Sequence, residues 1–143
     1  MIAKTYLTTS EEETIEAGRD FAALITRPSL VLLVGDLGAG KTTFTKGIVG
    51  ALTGLPPEEI TSPTFTLVHD YGAAVFHMDL YRLEKPAELA TLGVEELLYD
   101  HGGILLVEWG ERFAEALPTA SFTVALSGLD DSRRIVVERS DLA

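Results

Sequence analysis

The run Gly35-Asp36-Leu37-Gly38-Ala39-Gly40-Lys41-Thr42 satisfies the spacing G-x-x-x-x-G-K-[ST] in full. That spacing serves polyphosphate. Glycines at 38 and 40 allow backbone conformations closed to residues with a Cβ, so successive N–H groups turn inward on the phosphates. A helix starting at Lys41 adds its N-terminal partial charge. Lys41 reaches the β and γ phosphates of a nucleoside triphosphate, and the Thr42 hydroxyl ligates Mg²⁺. A chance match in a glycine-rich turn would lack the flanking strand and helix.

Phosphoryl chemistry also needs a carboxylate near the metal, at the C-terminal end of a sheet strand. Asp79 ends the apolar run "AVFHMD", and Glu108 ends "GGILLVE". Glu108 closes the more continuous run and is the better metal ligand. Asp79 either shares the metal or positions the attacking water, and a solvated strand-end acid is the plain alternative for each. Lys41, Asp79 and Glu108 are thus the catalytic candidates, and Thr42 and Glu108 the metal candidates. The loop "TSPTFT" (61–66), with Thr61, Ser62 and Thr64, resembles switch loops that sense a γ-phosphate, although an ordinary proline turn explains it equally well. Arg82 and Arg112 could stabilise transition-state charge in cis, but surface salt bridges are the commoner fate of such residues. Trp109 should point away from Glu108 across the strand, as core or as a stacking surface. His69, His77 and His101 lack ligand spacing and read as structural.

These residues need elements to hold them. "IAKTYLT" alternates as an edge strand does, and "SEEETIEAGRDFAALIT" follows as a helix with Ser10 and Glu13 in capping-box spacing. "SLVLLVG" (29–35) is a continuous apolar run with β-branched valines, of the kind buried on both faces of a sheet. Phe44, Ile48 and Leu52 share one face of the helix after the loop, which Gly54 and the two following prolines, Pro56 and Pro57, stop. "TFTLVHDYGAAVFHMDL" reads as a hairpin turning at Asp70-Tyr71-Gly72, so the sheet is mixed. "KPAELATLGVEELLYD" looks helical with a break at Gly93, "GILLVEW" is a buried strand, and "FTVALS" with "RRIVVER" forms a final antiparallel pair. The whole predicts an α/β, three-layer nucleotide-binding domain over residues 1–143 with a mixed sheet of about seven strands.

Composition bounds the rest. The 143 residues are of single-domain length. A formal net charge of −11 repels phosphate-backbone polymers, which argues against a stand-alone nucleic-acid binder. Without cysteine there is no disulfide, thiolate nucleophile or Cys-bound zinc. No segment has the length and apolarity of a signal peptide or membrane span, so a cytoplasmic location is expected. The guanine-reading segment N/T-K-x-D is missing, which favours adenine by elimination. A small-molecule kinase would add an arginine-bearing lid, and no insertion of that length lies between the strands. ATP hydrolysis coupled to a partner fits better, with a nucleotide-gated binding module as the rival from another class.

The blocks "GDLGAGKTTFTKG", "SPTFTLV", "DLYRL" and "LLVEWGER", in this order, resemble the TsaE (YjeE) family. That resemblance implies a Mg²⁺-dependent ATPase required for threonylcarbamoyl modification of the tRNA adenosine beside the anticodon. It also implies work with the TsaB–TsaD pair, and contact with tRNA only through that complex. By resemblance, Leu37, Gly38, Ala39, Gly40, Lys41 and Thr42 form the phosphate cradle, with Thr43 beside them. Glu11 is implied as a nucleotide contact, Thr42 and Glu108 as magnesium ligands, and Asp79 and Trp109 as functional positions. Beyond residue 117 no motif matches, and Arg133 and Arg134 lie there without an assigned place.

Overall fold

The computed structural model describes residues 1–36, 38–63 and 67–140. Its elements are β1 (Ile2–Thr8), α1 (Glu11–Ala22), β2 (Ser29–Val34), α2 (Lys41–Thr53), β3 (Val68–Asp70), β4 (Val75–Asp79), β5 (Ile104–Glu108), β6 (Phe122–Leu129) and β7 (Ser132–Arg139). The strands form one seven-stranded sheet in the order β1-β7-β6-β2-β5-β4-β3. Continuous apolar sequence goes to the middle, where β2 pairs in parallel with β5 and β6, and β5 with β4. Alternating sequence goes to the rim, where β1 pairs antiparallel with β7. The expected hairpins are both present, β3–β4 and β6–β7. In the first, the Asp70 carboxylate accepts the Gly72 N–H, an Asx turn that fixes the reversal.

Apolar side chains fill both sides of the sheet. On one side Phe21 of α1 and Phe44, Ile48 and Val49 of α2 pack with Val31, Leu33, Ile104 and Leu106. On the other, Met78, Leu105 and Val107 meet Leu80, Leu89, Leu98 and Phe113 from the connecting segments. This second layer departs from the expected helix. Pro86–Leu92 winds with three residues per turn, Gly93 reverses at φ +65°, and Glu96–Asp100 forms a single wide π turn. Apolar burial holds these pieces in place, although none has the length that makes an α-helix stable by itself.

The two long helices touch backbone to backbone. A Cβ at Gly47 would lie 2.0 Å from the Ile15 carbonyl oxygen, and one at Gly18 2.2 Å from that of Phe44. Only glycine permits this approach in either helix. Helix α1 begins on the expected cap, in which Ser10 Oγ accepts the Glu13 N–H at 3.1 Å. The reciprocal half differs from a capping box, because Glu13 Oε1 accepts from Thr9 N, at 2.7 Å, one residue further back. Helix α2 ends at Gly54 in the left-handed conformation, where the sequence places its stop. No helix among the described residues is long and apolar enough to cross a membrane.

Candidate functional site

Strand direction gathers the chemistry at one edge. β1, β2, β4, β5 and β6 run the same way, so Thr8, Asp79 and Glu108 and the loop after β2 meet at their carboxyl ends. In open α/β sheets that edge is where ligands sit. A cavity of about 590 Å³ opens there. One wall is the start of α1, with Ser10, Glu11 and Thr14; the floor is Gly38, Gly40, Lys41, Thr42 and Thr43. The opposite wall is Asp79, Tyr81, Glu108 and Trp109, and Ser62, Asp131 and Arg133 complete the rim.

The loop between β2 and α2 has the backbone its glycines foretell. Gly38 has φ +82° and Gly40 φ +100°, both in the left-handed region. Apart from its chain neighbours, no described residue comes within 4 Å of a Cβ built on Gly38, so its requirement is conformational. Gly40 caps α2 with no side-chain hydrogen bond to the first turn, which leaves N–H groups at that terminus for a ligand. Ala39 turns its side chain into the core, 6% exposed, while its N–H donates to Asp36 O at 3.1 Å. It lines a smaller adjoining hollow with Gly35 and Asp36, not the main cavity. Leu37 and Thr64 lie outside the described residues.

Lys41 is the electrostatic centre of the floor. Its side chain is 6% exposed, and its ammonium lies 4.0 Å from the centre of the Trp109 ring. It forms no ion pair with a carboxylate among the described residues. A cation so far out of water, with a π face for company, is chemically suited to receive an anion. Trp109 reaches it by leaving the strand. β5 ends at Glu108, and Trp109 takes φ +63°, so strand alternation stops applying one residue before it. The expectation that Trp109 points away from Glu108 is therefore corrected, since both line the same cavity. Tyr81 packs on its ring at 5.1 Å between centres.

The two acids stand as neighbours, because Asp79 and Glu108 are Cα partners across β4 and β5. Both are buried, and each has one oxygen engaged. Asp79 Oδ1 accepts the Tyr81 N–H at 2.9 Å. Glu108 Oε2 lies 2.5 Å from His77 Nε2. His77 is wholly buried, and its Nδ1 has no hydrogen-bond partner among the described residues, an arrangement that costs about 1–3 kcal/mol. Sequence reading set His77 aside for want of ligand spacing. Its signal was the alternation H-x-D, which puts His77 on the Asp79 face of β4, toward the Glu108 end of β5.

The remaining candidates divide. Ser62 lines the cavity, whereas Thr61 is exposed and its carbonyl accepts from the Tyr71 hydroxyl at 2.9 Å. Burial raises the Tyr71 pKa, and the charge of Glu108 adds to the rise against that hydrogen bond. Burial lowers the His69 pKa, with the neighbouring His77 second. His101 lies 3.9 Å from Glu96 on the surface. Arg112 makes no salt bridge among the described residues; it donates to the carbonyls of Tyr81, at 3.0 Å, and Leu83, and so ties down the segment after β4. Arg82 is exposed and outside the cavity wall. Arg133, left without a place by sequence, sits on the rim with its Cδ 3.9 Å from a Cβ built on Gly40.

A family model described as "Threonylcarbamoyl adenosine biosynthesis protein TsaE" matches residues 8–136. A protein named tRNA threonylcarbamoyladenosine biosynthesis protein TsaE from Rickettsia bellii is 41% identical over 138 residues, 94% of each chain. Its namesake in Treponema pallidum is 41% identical over 127 residues, 87% of this chain and 92% of the relative. That of Bacillus subtilis is 40% identical over 131 residues, 89% and 79%. The crystal structure of Bacillus subtilis YdiB superposes with a TM-score of 0.74 at 33% identity, covering 97% of this chain and 87% of that one. The match extends over nearly the whole fold, including the loop, the paired strand-end acids and the sheet, and the chain belongs to the TsaE family of threonylcarbamoyladenosine biosynthesis proteins.

Proposed function

We propose that this chain binds ATP in the cavity at the carboxyl edge of the sheet and hydrolyses it, in support of the cytoplasmic TsaB–TsaD machinery that modifies tRNA. The observation that carries the reading is Lys41: a buried ammonium without a carboxylate partner among the described residues, at the start of a helix and behind two left-handed glycines. Such a site stabilises several negative charges at once. Glu11 lines the same cavity from the start of α1, and we assign it a contact with the nucleotide.

The donor set suits a hard cation. Thr42 offers a hydroxyl and Glu108 a carboxylate on the same cavity, and Mg²⁺ takes only one or two protein oxygens when phosphates supply others. When bound, Mg²⁺ would neutralise charge on the phosphates and their transition state. Asp79, with one oxygen held by the Tyr81 N–H, would have the other to share the metal or to position the attacking water. Lys41 orients the phosphates, and the Trp109 ring beside it excludes water from that contact. The net charge of −11 fits a component that meets tRNA through its partners.

The test is free-phosphate release from ATP by the chain alone and with TsaB–TsaD, with Thr42→Ala as background and Asp79→Asn as the hydrolysis variant. Stimulation by the pair that vanishes in Thr42→Ala is expected, and Asp79→Asn should bind ATP and not turn it over. A chain that binds ATP, is not stimulated and supports modification equally well as Asp79→Asn would be a nucleotide-gated docking module instead.

A further inference from the structure

We infer that His77 is a positioning residue for Glu108: its Nε2–H holds one carboxylate oxygen so that the other is presented to the metal beside Thr42. This rests on the proposed reading of the cavity as a Mg²⁺–nucleotide site.

Strand register brings the two side chains together. His77 is the Cα partner of Leu106 and Asp79 that of Glu108, so His77 lies diagonally one step back from Glu108 on the same sheet face. A diagonal neighbour is within reach of long side chains, and Nε2 and Oε2 are 2.5 Å apart. An ionised carboxylate only accepts, so the hydrogen in this bond belongs to Nε2. Nδ1 is then left buried with no hydrogen-bond partner among the described residues.

That orphaned nitrogen is the informative part. A side chain serving only as filler between β4 and α2 would be apolar, as Val75 and Leu106 are on the same face. Histidine there leaves a buried polar atom unpaired, and a buried polar group without a partner calls for a reason beyond packing. The other ring nitrogen supplies one, because ligating carboxylates are held in orientation by hydrogen bonds behind them. A free Glu108 would rotate about its last bonds and could turn both oxygens to solvent. Pinned at Oε2, it keeps a single orientation before any metal arrives, and less is lost on binding.

The experiment uses the full chain and measures, by calorimetry, the affinity of a non-hydrolysable ATP analogue with Mg²⁺ and with EDTA. His77→Met fills the space without a donor; His77→Gln restores an N–H donor of similar reach. We expect EDTA affinities alike in all three proteins, a magnesium-dependent gain about 10- to 100-fold smaller in His77→Met, and recovery of most of it in His77→Gln. Long-range proton–nitrogen spectra of the wild type should place the His77 hydrogen on Nε2. A wild-type gain matched by His77→Met would overturn the inference and leave the function standing. If the wild type gains nothing from Mg²⁺, the reading of the cavity falls and the inference with it. Should His77→Met fail to fold, loss of the magnesium gain in a folded His77→Gln overturns the donor role.

Discussion

The Lys41 ammonium rests 4.0 Å from the centre of the Trp109 ring, one residue on the floor and the other on a wall of the same cavity. Phosphates arriving at Lys41 compete with the ring for the same charge. Since Trp109 is the chain's single tryptophan, its emission should change on adding Mg²⁺–ATP and on Lys41→Met. Identical spectra for wild type and Lys41→Met would contradict the contact. Trp109→Leu should lower stability by about 1 kcal/mol or more, the size of a desolvated cation–π pair, measured by urea denaturation.

Gly47 admits no side chain. Its Cβ would meet the Ile15 carbonyl at 2.0 Å, and a backbone carbonyl does not rotate aside as a side chain does. Gly47→Ala should therefore destabilise by about 3 kcal/mol or more, at the upper end for overpacking. A midpoint unchanged in thermal unfolding would mean that the helices separate at little cost.

Arg112 offers a contrast between scaffold and catalysis. Its guanidinium holds the Tyr81 and Leu83 carbonyls, so Arg112→Ala should cost about 1–2 kcal/mol, while phosphate release stays within about twofold of wild type. An arginine acting on the transition state in cis would instead lose about 10³-fold or more in rate, with stability intact.

His69 predicts a pH dependence. Burial lowers its folded pKa below 6.5, so between the two values the unfolded chain binds more protons. Stability from this group is complete above about pH 6.5 and declines as pH falls through the folded value. His69→Gln should flatten that decline in denaturation followed from pH 7 to 5. An unaltered profile would place the sensitivity on other groups.

Local spacing was legible and distant geometry was not. The loop from Gly35 to Thr42 is read in one window because all its parts are consecutive, and Asp79 and Glu108 are found because apolar runs end at them. His77 escaped because its partner is 31 residues away in sequence, and only the register of β4 on β5 brings them together. Trp109 was misdirected by assuming that strand alternation continues, when a left-handed residue ends it. The segment from Pro86 to Asp100 has helical composition but winds irregularly, since burial of Leu89 and Leu98 against the sheet outweighs regular hydrogen bonding. Arg133 lies near the loop through the β6–β7 turn, a placement no motif encodes.

The glycine contact between α1 and α2 also fixes one side of the cavity. Ser10 and Glu11 head one helix, Lys41 and Thr42 the other, and the shafts are locked at Gly18 and Gly47. The cavity therefore behaves as a vice with one fixed jaw. The side carrying Tyr81, Trp109 and Ser62 is not part of that lock, so a change in the cavity's width would come from there.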